Sequence, residues 1–278
     1  MRPDVLVFGI GLVLFGTLLS QSTISDFLLY MVFGVFGVFG AANSIDEYND
    51  YELDLKNRKN RLICPLCDTN LPKELALIQG ALLYLLGNFG LFYFFGLSGL
   101  LVGVTLTSIT LAYSFSLFDL KGRAVPKVLT NVFSLTLLFL LPHLTKIGWI
   151  DLGTILWSVI IFNSILITVL CNDLKDYTVE KTEGLKTLWV IMGVNRLSKM
   201  IIFISFSNLL LILFLALTGL IHRFFLLSIP PLILIKYYYS SLMLKDGLGQ
   251  ARKIALGSII DLTTSTLLFS LLIYLLVY

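Results

Sequence analysis

The feature that most constrains this chain is the recurrence of long apolar runs between short polar breaks. They fall at about 4–20, 27–46, 74–92, 95–116, 129–145, 150–171, 197–219, 223–242 and 254–277. A bilayer core about 30 Å thick takes about 20 apolar residues per helical crossing, so each run is long enough to span. The runs are continuously apolar, as in Leu209 to Leu215, and lack the in-out alternation of a barrel wall. The expected fold is therefore all-α: a polytopic membrane protein of nine transmembrane helices forming a single domain over 1–278. Only 13% of residues are charged, against roughly 25% in a soluble domain. The first run has no small-residue cleavage site after it and reads as the first span, not a signal peptide.

Lys and Arg are divided between the two sets of loops and helix ends. One set holds Lys56, Arg58, Lys59, Arg61 and Lys73, then Lys121, Arg123 and Lys127, then Lys175, Lys181, Lys186, Arg196 and Lys199, then Lys236, Lys245, Arg252 and Lys253. The opposite set holds only Lys146 and Arg223. Cytoplasmic loops retain such residues, so the N-terminus is expected in the cytoplasm of a multi-pass cell-membrane protein, with Tyr278 outside. The net charge of +3 hides this asymmetry. The basic residues are split among loops beside a membrane, which does not suit nucleic acid. No obligate protein partner is inferred. Cys64, Cys67 and Cys171 are expected on the reducing cytoplasmic side, and Cys64-Pro65-Leu66-Cys67 has neither a second Cys pair nor a nearby His to complete a zinc site.

The second span runs into Asp46-Glu47-Tyr48-Asn49-Asp50-Tyr51-Glu52-Leu53-Asp54. If its helix continues, Asp46, Asp50 and Asp54 recur every four residues on one face. Like charges at that spacing repel, more so beside lipid, so the column asks for a cation. Mg²⁺ suits it, being commonly held by one or two carboxylates plus substrate phosphates. The sixth span ends similarly in Asn172-Asp173-Leu174-Lys175-Asp176, with Glu180, Lys181, Gly184, Lys186 and Thr187 following. Asp173, Asp176 and Glu180 are expected on one face. Spans two and six lie an even number of crossings apart, so both clusters reach the same side. This suggests two pseudo-repeated four-helix halves plus one helix.

Arg58, Lys59 and Arg61 follow the first cluster, Lys181 and Lys186 lie within the second, and Lys121 and Arg123 lie between. Carboxylates bridged by metal, beside Arg forks and Lys point charges, suit a diphosphate. An apolar tail on that substrate would lie among the helices.

These residues resemble the UbiA-type intramembrane prenyltransferases over most of the chain. The first signature of that family, Asn-Asp-x-x-Asp-x-x-x-Asp followed by Asn-Arg-Pro, is matched by Asp50, Asp54, Asn60 and Arg61, with Asp46, Glu47 and Leu62 replacing Asn, Asp and Pro. The second is matched by Asn172, Asp173 and Asp176, with Glu180 replacing the last Asp, and by Gly184, Lys186, Thr187 and Leu188. Tyr113, Ser114, Lys121 and Asn131 resemble the stretch between, and Arg2-Pro3 the entry to the first span.

The resemblance implies a Mg²⁺-dependent transferase. It would move a polyprenyl group, such as geranylgeranyl, from its diphosphate to a lipid-soluble acceptor. Asp50, Asp54, Asp176 and Glu180 are expected to hold metal, assisted by Asp46 and Asp173. Arg61, Lys121 and Lys186 are expected to bind diphosphate, with Asn60, Tyr113, Arg123 and Asn172 lining the substrate site. Residues 55–73 and 174–196 are expected to cover it as cytoplasmic caps. The Gly-x-Lys-Thr-Leu ending resembles the branch that includes archaeal geranylgeranylglyceryl phosphate prenylation and chlorophyll-type synthases. An aromatic quinone precursor is the alternative acceptor. From other classes, a transporter would share halves and intramembrane carboxylates, and Asp246-Gly247 to Ala251-Arg252 resembles a CDP-alcohol phosphotransferase motif with one residue too many. Gly34, Gly37 and Gly40 are expected to mark close helix packing.

Overall fold

A computed structural model describes residues 3–56, 72–114, 124–148, 150–174, 177–182, 187–220, 229–244 and 257. Every regular element among them is helical. In order they are α1 (Pro3–Leu19), α2 (Ile24–Leu29), a π-helical segment (Tyr30–Phe39), α3 (Gly40–Lys56), α4 (Glu74–Ser114), α5 (Ala124–Lys146), α6 (Leu152–Asp173), α7 (Tyr177–Thr182), α8 (Leu188–Met192), α9 (Val194–Leu217) and α10 (Ile229–Met243). Five stretches are long and apolar enough to cross a membrane: Ile24–Asn49, Glu74–Tyr113, Ala124–Lys146, Leu152–Asp173 and Val194–Leu217. The expected run at 254–277 lies outside the described residues, apart from Gly257.

Large apolar side chains point outward along these helices. Leu85 and Tyr93 on α4 and Leu234 and Tyr237 on α10 are exposed, while Lys236 is completely buried. That arrangement inverts a water-soluble helix and fits lipid as the surrounding solvent.

The chain forms two compact units. The first comprises Met1–Lys121 and Phe133–Ile150. Its second helix begins at a capping box, in which Thr23 Oγ1 accepts from Asp26 N at 3.1 Å and Asp26 Oδ2 accepts from Thr23 N at 3.0 Å. From there α2, the π-helical segment and α3 run without interruption into the first acidic cluster. Gly37 lets this helix meet α4 backbone to backbone, since a Cβ there would lie 2.7 Å from Gly87 Cα. The expectation of close packing holds at Gly37 and at Gly34, where an added Cβ would lie 2.6 Å from Leu141 Cδ2.

The long helix α4 is a hairpin. At Gly96 the backbone turns to φ 65°, ψ −150°, a region open essentially to glycine. The two arms lie against each other: Tyr84 Oη bonds Thr110 Oγ1 at 2.6 Å, and Asn88 Nδ2 donates to Thr107 Oγ1 at 2.9 Å. Because Thr110 spends its proton on Leu106 O, Tyr84 is the donor. The arms correspond to the separate runs expected at 74–92 and 95–116. Near the turn, Phe95 stacks on Tyr30 with centroids 4.3 Å apart, and Tyr30 bonds Thr145 on α5 at 2.6 Å.

The second unit comprises Gly122–Val132 and Asp151–Tyr278. Asp151 caps α6 by accepting from Thr154 N at 2.6 Å. Fully buried Asn208 on α9 joins α6, donating to Ile160 O at 3.3 Å and Ser164 Oγ at 3.2 Å and accepting from Asn163 Nδ2 at 2.9 Å. Helix α10 packs on α9, where Lys236 Nζ donates to Ser205 Oγ. The basic-residue pattern had grouped Lys236 with loops and helix ends, yet it stands midway along α10 and is wholly buried. A facing hydroxyl supplies a polar partner that the pattern of charges along the chain does not reveal.

Candidate active site

The first cluster is built on helical continuity. Helix α3 extends to Lys56, so Asp46, Asp50 and Asp54 occupy one unbroken helix at four-residue intervals. Asp46 and its neighbour Glu47 are half-buried. The side chains of Asp50 and Asp54 lie outside the described residues, as do Asn60 and Arg61. On α3, Tyr48 and Tyr51 pack against Ala76 at the start of α4. Lys73 Nζ lies 5.7 Å from the Tyr48 ring centroid and 5.9 Å from that of Tyr51, close enough for cation–π attraction. These contacts hold the acidic end of α3 to the foot of the hairpin. Tyr113 is half-buried in the last turn of the second arm. Lys121 and Arg123 lie outside the described residues.

The second cluster is divided between helices. Helix α6 ends at Asp173, α7 begins at Tyr177, and residues 175–176 between them, including Asp176, lie outside the described residues. Asn172 is exposed and Asp173 is partly buried. Glu180 is on α7, but its side chain is outside the described residues, as is Lys186. Beyond them, Trp189 on α8 is completely buried and its Nε1 donates to Leu170 O at 2.8 Å, fastening the segment after the cluster to the last turn of α6.

Sequence reasoning assigned no role to Lys127, although it stood in the basic set. Its Nζ lies 3.3 Å from Asp173 Oδ1, with the side chains 22% and 16% exposed respectively. Each partner opposes the local helix dipole: Lys127 stands in the first turn of α5, and Asp173 ends α6. A cation at a helix N-terminus and an anion at a C-terminus are each disfavoured, and pairing offsets both. Spacing offered no signal for this contact, because 46 residues separate the partners.

Among the described residues, no group of three His, Cys, Asp or Glu side chains could hold a metal. The donor chemistry of the two clusters nevertheless fits Mg²⁺, which takes oxygen ligands and is commonly held by one or two carboxylates together with substrate phosphates.

The profile of the UbiA prenyltransferase family matches residues 9–278. The chain belongs to the UbiA prenyltransferase family. It is therefore a prenyltransferase, and the transporter and CDP-alcohol phosphotransferase alternatives fall away. No curated protein matches the sequence. Solved UbiA-type structures share its fold. A structure from work on digeranylgeranylglyceryl phosphate synthase in membranes superposes with a TM-score of 0.77 at 18% identity, covering 98% of this chain and 94% of that one. A UbiA homologue from Archaeoglobus fulgidus bound to DMAPP and Mg²⁺ gives 0.67 at 15% identity, covering 97% and 96%. The apo UbiA homologue from Aeropyrum pernix K1 gives 0.69 at 15%, covering 96% and 98%.

Proposed function

We propose that this UbiA-family enzyme transfers a polyprenyl group, such as geranylgeranyl, from its diphosphate to a lipid-type acceptor, with geranylgeranylglyceryl phosphate the leading acceptor. The carrying observation is the continuity of α3, which keeps Asp46, Asp50 and Asp54 in four-residue register at the end of an apolar span. Such a column is tolerable beside lipid when divalent cations and phosphate oxygens neutralise it. Fold likeness to a structure from work on digeranylgeranylglyceryl phosphate synthase supports a lipid-type acceptor over an aromatic quinone precursor.

On this reading, Asp50, Asp54, Asp176 and Glu180 hold Mg²⁺, with Asp46 and Asp173 assisting. The ion, when bound, supplies positive charge to the departing diphosphate. Arg61 forks onto phosphate oxygens, and Lys121, Arg123 and Lys186 add point charges fixed before reaction. Asn60, Tyr113 and Asn172 orient the donor. The allylic C1–O bond breaks with carbocation character, the acceptor oxygen forms the new bond to C1, and its proton departs. Residues 55–73 and 174–196 cap the site and keep water from the cation. The chain is read as one domain over 1–278 of nine spans, two four-helix halves plus one helix, and its Lys/Arg asymmetry favours caps and N-terminus on the cytoplasmic side. Purified protein is incubated with labelled geranylgeranyl diphosphate, Mg²⁺ and a panel of acceptors. Diphosphate release with prenylated product is expected, and no release with any acceptor sinks the proposal.

A further inference from the structure

One cation outside the family signatures stands directly on the second acidic cluster. The stretch that resembles the family between the clusters runs through Tyr113, Ser114, Lys121 and Asn131, and Lys127 is not among its residues. Yet Lys127 Nζ lies 3.3 Å from Asp173 Oδ1, within the second unit and with both side chains largely withdrawn from solvent. Both partners engage further groups as well, so the contact belongs to a wider set of interactions.

The contact is suited to exchange. At 3.3 Å it is longer than the roughly 2.7–2.9 Å of a strong charge-assisted hydrogen bond. A lysine ammonium is a point charge on a flexible stem with no preferred plane, so it can change partner without rebuilding its surroundings. The backbones on either side are fixed. Lys127 lies in the first turn of the 23-residue α5, where Ala124 and Val128 are buried. Leu174, next to Asp173, is completely buried, and Trp189 Nε1 fastens the last turn of α6 through Leu170 O. The movable part between these anchors is the lysine stem.

Helix dipoles set the direction of the exchange. The C-terminal end of α6 favours positive charge, and the first turn of α5 favours negative charge. In the pair, each end is met by a single unit charge. A divalent ion on Asp173 and a phosphate oxygen on Lys127 would meet both ends with more. The exchange is also obligatory in part, because an ammonium on a carboxylate oxygen occupies lone pairs that a metal would use.

We propose that Lys127 is a partner-exchanging cation: it neutralises Asp173 while the second cluster is empty, and passes to a phosphate oxygen of the prenyl diphosphate when Asp173 turns to metal. The inference rests on the transferase reading above and adds to it a residue and a coupling between its ligands. The ammonium opposes metal before the donor arrives and favours the donor afterwards. By linkage, metal tightens donor binding by the same factor as donor tightens metal binding, and Lys127 enlarges that factor.

The test uses full-length enzyme in nanodiscs, with Mn²⁺ as a spectroscopic stand-in for Mg²⁺ and geranylgeranyl thiolodiphosphate as an unreactive donor. Free Mn²⁺ is counted by electron paramagnetic resonance with and without the analogue, and analogue binding is measured by calorimetry with and without metal. Lys127→Met should tighten donor-free Mn²⁺ binding about threefold and weaken analogue binding in saturating Mn²⁺ about threefold, in keeping with a partly exposed pair. Those opposite signs separate exchange from damage, and loss of both affinities together overturns the proposal. In an Asp173→Asn background, Lys127→Met should leave donor-free Mn²⁺ binding unchanged, since the carboxylate that it competes for is gone. Donor-free Mn²⁺ binding that ignores Lys127→Met in the native background, or that responds equally with and without the Asp173 carboxylate, also overturns it. The transferase reading fails separately, when the unaltered enzyme binds neither Mn²⁺ nor the analogue.

Discussion

Lys127 and Asp173 form an ion pair at 3.3 Å, joining the first turn of α5 to the last residue of α6. The pair puts a positive charge directly on a carboxylate expected to assist the metal. Lys127→Met removes a competitor for that carboxylate and a cation near the diphosphate at once. The Mg²⁺ concentration giving half-maximal rate should fall about threefold while donor KM rises. A partly exposed pair is worth about 0.2–1 kcal/mol, so stability should change little. Rates across a Mg²⁺ titration at several donor concentrations read both effects, and a parallel rise in the two constants would count against the pairing as described.

Asp50→Ala and Asp176→Ala should each lower turnover by more than a hundredfold while the proteins retain their helical circular dichroism. Glu180→Asp, which restores the usual carboxylate of the family signature, should stay active. Metal-dependent activity retained in both alanine variants would refute a two-cluster site.

At Gly96, φ is 65° with ψ −150°, and a side chain there is strained whatever the space around it. Gly96→Ala should cost about 1–3 kcal/mol. A lowered midpoint of thermal unfolding in detergent is the expected readout, with donor affinity at permissive temperature preserved.

The indole of Trp189 holds α8 to the end of α6 through one hydrogen bond, and its ring is fully buried. Trp189→Phe keeps most of the apolar volume and removes the donor, a loss of about 1 kcal/mol. Hydrogen exchange at residues 187–192 should quicken. Turnover should fall if that segment orders the second cluster, and faster exchange at α1 instead would point to a global effect.

The apolar runs make much of this architecture legible in the sequence alone. Burial in lipid leaves a one-dimensional trace, and a helix must satisfy its own backbone within the segment. The break between the runs at 74–92 and 95–116 fell beside Gly96, where the hairpin turns. Continuity of α3 through the acidic column likewise follows the four-residue spacing. Lys127 and Lys236 resisted reading for the opposite reason. Their roles depend on Asp173 and Ser205, residues 46 and 31 positions away, and no local pattern encodes a partner across helices. The π winding at Tyr30–Phe39 left no trace in an apolar sequence that suits either helix.

That winding sets the azimuth of the acidic column. A π turn rotates less per residue than an α turn, about 80° against 100°, so ten residues of it displace everything downstream by about half a revolution. On one continuous helix, the direction in which Asp46 faces is therefore set some ten residues upstream, within the membrane. A single-residue deletion there would leave the span long enough to cross, yet swing the whole column by about a quarter of a turn away from its present side.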